Sequence, residues 1–135
     1  MEVLTINEDI PIVCKLIPTF PLQIKEGFDE LAEKFGMEER AFYGISKMDA
    51  DCNIIYMAAV TEVKPAEGEP YGYTQLTIPK GEYLSETIHN WMSKTDQIKD
   101  IFGRLMEEPV FDDSFWCVEW YKSDDEMMCM VRKKS

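Results

Sequence analysis

The sequence predicts an α+β domain made of two β-α-β-β repeats that share an antiparallel sheet, with the helices on one side and a ligand cleft on the other. Three observations carry this reading. The succession strand, amphipathic helix, strand, strand is written twice, over about residues 1–66 and 70–135. A shift of seventy positions lays Phe28 on Ile98, Leu31 on Ile101, Phe35 on Leu105 and Cys14 on Leu84. The third is size: with 135 residues the chain makes a single domain, and neither half can bury its helix stripe alone.

The elements follow in order. Residues 10–18 read as a strand, apolar with one lysine. Pro21 suits the first turn of a helix over 21–36, because its missing N–H would be unpaired there in any case. Leu22, Ile24, Phe28, Leu31, Ala32 and Phe35 give that helix an apolar stripe, and Gly36 stops it. Strands over 42–47 and 53–63 flank a polar turn at Asp49-Ala50-Asp51, and residues 65–70 form a loop. The second copy has strands over 73–78 and 83–88 around Pro79-Lys80-Gly81. A helix over 94–107 follows, with Ile98, Ile101, Phe102, Leu105 and Met106 inward and Pro109 beyond its end. Strands over 115–121 and 127–132 close the chain as a hairpin around Ser123-Asp124-Asp125.

Composition narrows the function classes. The net charge is −12, with 13 acidic residues on either side of position 68, so neither half is a nucleic-acid platform. Residues 2–9 lack the positive flank and apolar run of a signal peptide, and no stretch reaches membrane-spanning length. Cys14, Cys52, Cys117 and Cys129 have neither Cys-x-x-Cys nor zinc spacing and read as reduced thiols of a cytoplasmic protein. His89 is the single histidine, and glycine-rich phosphate loops are absent, so neither a metal nor a cofactor is expected.

The functional lead is Phe115-Trp116-Cys117-Val118-Glu119-Trp120-Tyr121. Strand alternation puts Cys117, Glu119 and Tyr121 on one face and Trp116, Val118 and Trp120 on the other. An acid inside such a run is desolvated at a cost, hydrogen-bonded, or turned to a cleft. Tyr121 is its companion and Cys117 a small neighbouring wall. Trp116 and Trp120 suit the core unless a bulge reverses one of them. Tyr56 reaches a central cleft from the first repeat, Tyr43 or Phe42 lines the opposite wall, and Tyr83, Ser85 and Thr87 suggest a polar groove.

Three features resemble the GyrI-like superfamily, the effector-binding domains of AraC-type and MerR-type bacterial transcription regulators, which also occur free-standing. Ile78-Pro79-Lys80-Gly81-Glu82-Tyr83 is similar to the family's I-P-A-G-x-Y turn. The helix preceded by Trp91 stands where the family has its second helix. Val118-Glu119-Trp120-Tyr121 is similar to the F-E-x-Y stretch whose acid faces the ligand. Two departures are visible: Val118 replaces the phenylalanine, and Ile88-His89-Asn90-Trp91 lacks the glycine of a His-x-Gly ending. The resemblance implies a duplicated domain with a multidrug-type cleft and Glu119 turned to the ligand. No helix-turn-helix is expected before it.

These observations favour non-catalytic binding of a small, largely apolar molecule, in sensing or sequestration, where Glu119 meets either a cationic charge or the ligand's hydrogen-bond donors and aromatic faces add cation–π attraction to a cation. Two alternatives remain open. The first is a hydrolase with Glu119 as general acid or base, since some relatives are described as hydrolases of cyclopropane compounds. The second is a protein-interaction module of DNA-gyrase-inhibitor type, steered by negative charge to a basic partner. Direct nucleic-acid and membrane partners are not expected, and a homodimer would cover sheet edges.

Overall fold

The computed structural model describes every residue except Pro21, Glu39 and Ser135. The chain is α+β, with two α-helices and eight strands among the described residues, and all its paired strands run antiparallel. It divides into two compact units, residues 9–78 and residues 1–8 with 79–135. The first unit holds β2 (Ile10–Leu16), α1 (Ile24–Phe35), β3 (Phe42–Met48), β4 (Ile54–Thr61) and β5 (Thr74–Ile78). The second holds β1 (Glu2–Ile6), β6 (Gly81–His89), α2 (Ile98–Met106), β7 (Cys117–Tyr121) and β8 (Glu126–Arg132).

The two units repeat one arrangement. In the first, β2 lies between β5 and β4, and β4 pairs on with β3. In the second, β6 lies between β1 and β8, and β8 pairs on with β7. Each unit thus takes an outer strand from the other sequence repeat: β1 falls in the first repeat yet pairs with β6, and β5 opens the second yet pairs with β2. Strand β1 was not anticipated. It is only five residues long, Glu2-Val3-Leu4-Thr5-Ile6, and mostly exposed, too short a stretch to stand out in the sequence.

Each helix packs on one face of its own sheet. Leu31 of α1 is sealed against Val13, Ile17, Tyr56, Ala58 and Val60, with Ile24, Phe28 and Phe35 around it. Ile101, Phe102 and Leu105 of α2 meet Leu84, Ile88, Met127, Cys129 and Val131. Residues facing away from the helices, such as Ile12, Cys14, Ile45, Ala59, Tyr83, Val118 and Met130, are buried as well. Both faces of these strands are therefore apolar.

The helices are shorter than expected. Helix α1 starts at Ile24 because Gln23 takes a left-handed conformation (φ 65°). Leu22 is exposed rather than part of the stripe, and Pro21 lies outside the described residues. The segment before α2 winds as two short 3-10 turns, Trp91–Ser93 and Thr95–Gln97, so the helix itself begins at Ile98. Strand register also corrects the shift of seventy. Val13 opposite Val60 corresponds to Leu84 opposite Val131, a shift of 71. Laying Cys14 on Leu84 slips the strand by one residue, and such a slip turns every side chain to the other face.

Candidate ligand site at Glu119

Cys117, Glu119 and Tyr121 share one face of β7, as the alternation required. Cys117 and Tyr121 pack against the cluster formed with Ile101, Phe102 and Leu105, so this face is the one α2 covers. The expectation that Glu119 turns away from the helices is corrected accordingly. Because β7 is apolar on both faces, alternation alone could not tell which face the helix takes.

Across the sheet Glu119 is level with Cys129 on β8, and Cys129 with Glu86 on β6. Glu119 is 8% exposed. The Tyr121 hydroxyl donates to its Oε1 at 2.8 Å. Trp91 packs against Tyr121 with ring centroids 5.0 Å apart. The indole is in turn held by its Nε1–H, which donates to the Ser123 carbonyl at 2.8 Å. Segment 90–91 is fastened to the β7–β8 turn by two further bonds, Asn90 N–H to Asp125 Oδ1 at 3.1 Å and Trp91 N–H to the Asp125 carbonyl at 3.3 Å. Asn90 adopts a left-handed backbone (φ 55°), which asparagine tolerates better than most residues.

The sulfur groups beside Glu119 respond to its surroundings. Burial, followed by the charge of Glu119, pushes the Cys117 thiol up to about 11. The same two causes, in the same order, raise Cys129. Both remain neutral thiols near pH 7. Cys117 Sγ also lies 3.9 Å from Met106 Sδ. Together these groups make a soft, apolar wall around one carboxylate.

The other expected site residues are distributed elsewhere. Tyr83 is fully buried on the opposite face, its hydroxyl donating to the Pro79 carbonyl at 2.5 Å; it lines no open polar groove. Trp120 is on that opposite face too, level with Met128, and Lys122 Nζ lies 4.8 Å from its ring centre. Trp116 is half-buried just ahead of β7. In the first unit, Tyr56 is buried on the α1 side and stacks on Phe20 at 4.7 Å. Tyr43 is buried on the face away from α1, and burial raises its hydroxyl above the usual tyrosine range.

Register identifies the first-repeat counterpart of Glu119. Gly44 is level with Ala58 as Glu119 is level with Cys129, and Ala58 corresponds to Cys129 by the shift of 71. The counterpart is thus a glycine, and the carboxylate belongs to one repeat only. Sequence reasoning missed Glu86, the second acid on the α2 side. Its signal was the spacing Leu84-x-Glu86-x-Ile88, an acid between two apolar residues on one strand face. Arg104 of α2 donates to it at 2.7 Å.

No protein-family model matches the sequence, and no curated protein is detectably similar to it. The fold, by contrast, is shared with solved structures. An integron cassette protein of Vibrio cholerae, VCH_CASS2, superposes with a TM-score of 0.72 at 9% identity, over 98% of this chain and 95% of that one. SAV2435, solved bound to tetraphenylphosphonium, gives 0.64 at 13% identity, over 97% and 93%. A Staphylococcus aureus MU50 protein described as one of bacterial transcription regulation gives 0.62 at 12%, over 99% and 97%. At such identities the likeness is one of architecture. That architecture agrees with the α+β fold expected from the sequence.

Proposed function

We propose that this chain binds a small, largely apolar cation, with Glu119 as the counter-charge and Tyr121, Trp91 and Cys117 as the wall beside it, in a sensing or sequestration role. The observation that carries the reading is the Glu119 carboxylate itself. It is buried among aromatic and sulfur groups, and the Tyr121 hydroxyl orients it by donating to Oε1. A carboxylate in such surroundings attracts a cation far more strongly than one in water. A lipophilic cation also loses little hydration on entering, and ring faces favour it further. That a protein of the same fold has been solved with tetraphenylphosphonium supports the chemical class. The regulator-type neighbour supports a sensing role.

The test uses tetraphenylphosphonium as the probe. Trp91 is in contact with Tyr121, so binding should quench tryptophan emission saturably, and Trp91→Phe should remove most of the change while preserving binding by calorimetry. No saturable binding by either method would overturn the proposal.

A further inference from the structure

The second unit contains a cleft of about 330 Å³ that the Glu119 site does not use, lined by Glu86, Thr87, Ile88, His89, Lys94, Gln97, Ile101 and Arg104. We propose that this cleft binds a small carboxylate, with Lys94 and Arg104 as its cationic partners. The strongest reason is charge. The chain carries a net −12, yet two of its 14 basic residues and its one histidine converge here beside a single lining acid.

That acid is already committed. Glu86 accepts from Arg104 Nη2 at 2.7 Å, which uses part of a guanidinium having five N–H donors and leaves the rest for a ligand. Lys94 is half-buried and has no ion-pair partner among the described residues. His89 sits 3.4 Å from Asp125, whose other carboxylate oxygen accepts the Asn90 N–H; Asp125 is therefore occupied and not a lining residue. The Gln97 amide adds a neutral donor, while Ile88 and Ile101 supply an apolar floor for a hydrocarbon body. A planar carboxylate suits this set, because a guanidinium fork and an ammonium can each take one of its oxygens.

The inference is independent of the reading of Glu119, and its test keeps the two apart. Amide chemical shifts of the full chain are followed during titration with benzoate and, separately, with neutral benzamide. Benzoate should move residues 86–89, 94–97 and 101–104 saturably, and Lys94→Gln should weaken it about tenfold, as loss of a charge-assisted hydrogen bond requires. Glu119→Gln should leave it unchanged, and added salt should weaken it. Equal shifts with benzamide, no saturable shifts, or full affinity in Lys94→Gln would each overturn the proposal. Loss of benzoate binding in Glu119→Gln would overturn the assignment to this cleft.

Discussion

Arg40 and Glu67 form an ion pair whose side chains are only 9% and 10% exposed, and replacing Glu67 by alanine tests how the loop after β4 is held. The Glu67 carboxylate accepts from the Arg40 guanidinium and from the Lys64 N–H at 2.9 Å, with Val63 N–H at 3.4 Å. Arg40 also donates to the Thr61 carbonyl at 2.9 Å and lies 5.3 Å from the Phe35 ring centre. Removing Glu67 strands a buried guanidinium without its counter-charge, which costs about 3–5 kcal/mol. That is a large share of the roughly 5–15 kcal/mol typical of a domain. Arg40→Met combined with Glu67→Met should recover much of the loss, because no charge is then left buried. Urea unfolding followed by tryptophan emission at neutral pH measures both variants. The pair also sets a pH dependence: Arg40 first, and then the backbone N–H bonds, hold Glu67 below the usual carboxylate range. Its stabilisation is complete above the unfolded-state value of about 4.3 and disappears as pH falls through the lower folded value. The double variant should lose that part of the acid sensitivity. A cost below about 0.5 kcal/mol for Glu67→Ala would refute the reasoning, since it would place the pair among ordinary surface contacts.

Other consequences are as direct. Gly68→Ala should destabilise by about 1–3 kcal/mol in the same urea assay, because a Cβ there would lie 2.5 Å from Val13 Cγ1 and 3.3 Å from Tyr73 Cβ, and valine is stiff about χ1. Leu105→Ala, removing a side chain that is 2% exposed under β6 and β8, should cost about 2–5 kcal/mol. In the folded protein a thiol reagent near pH 8 should modify exposed Cys52 first. Cys14, which burial pushes up to about 12, and buried Cys129 should react only on unfolding, with half-buried Cys117 following Cys52 slowly. Mass spectrometry of the labelled chain checks the order.

The helices were legible because their stripes repeat with the helical period, and Leu31, Ile101 and Leu105 are buried as that period requires. The strand correspondence was blurred by unequal connections. Val13 corresponds to Leu84 through a shift of 71, but Gly44 corresponds to Glu119 through a shift of 75, and a single shift accommodates only one of them. Burial of Glu119 was legible from its apolar neighbours. Its facing was not, because Val118 and Trp120 are as apolar as Cys117 and Tyr121, and only packing on α2 distinguishes the two sides. Trp91 lies thirty residues before Tyr121 in sequence, and nothing local announces that bonds to Ser123 and Asp125 bring it there.

The central claim is that Glu119 supplies charge to a bound lipophilic cation, and the most direct measurement is calorimetric affinity for tetraphenylphosphonium against a neutral aryl comparator, triphenylphosphine oxide, in the native chain and in Glu119→Gln. The substitution keeps size and an acceptor oxygen for the Tyr121 hydroxyl, replaces the other oxygen by an NH2 donor, and removes one charge. At an effective dielectric near 20 and a separation of roughly 5 Å, that charge is worth about 3 kcal/mol before losses to residual solvent. The cation should therefore bind roughly ten- to a hundredfold more weakly in the variant, with the neutral compound changed by less than about twofold. Equal losses for both compounds would contradict the account, as would full cation affinity without the carboxylate.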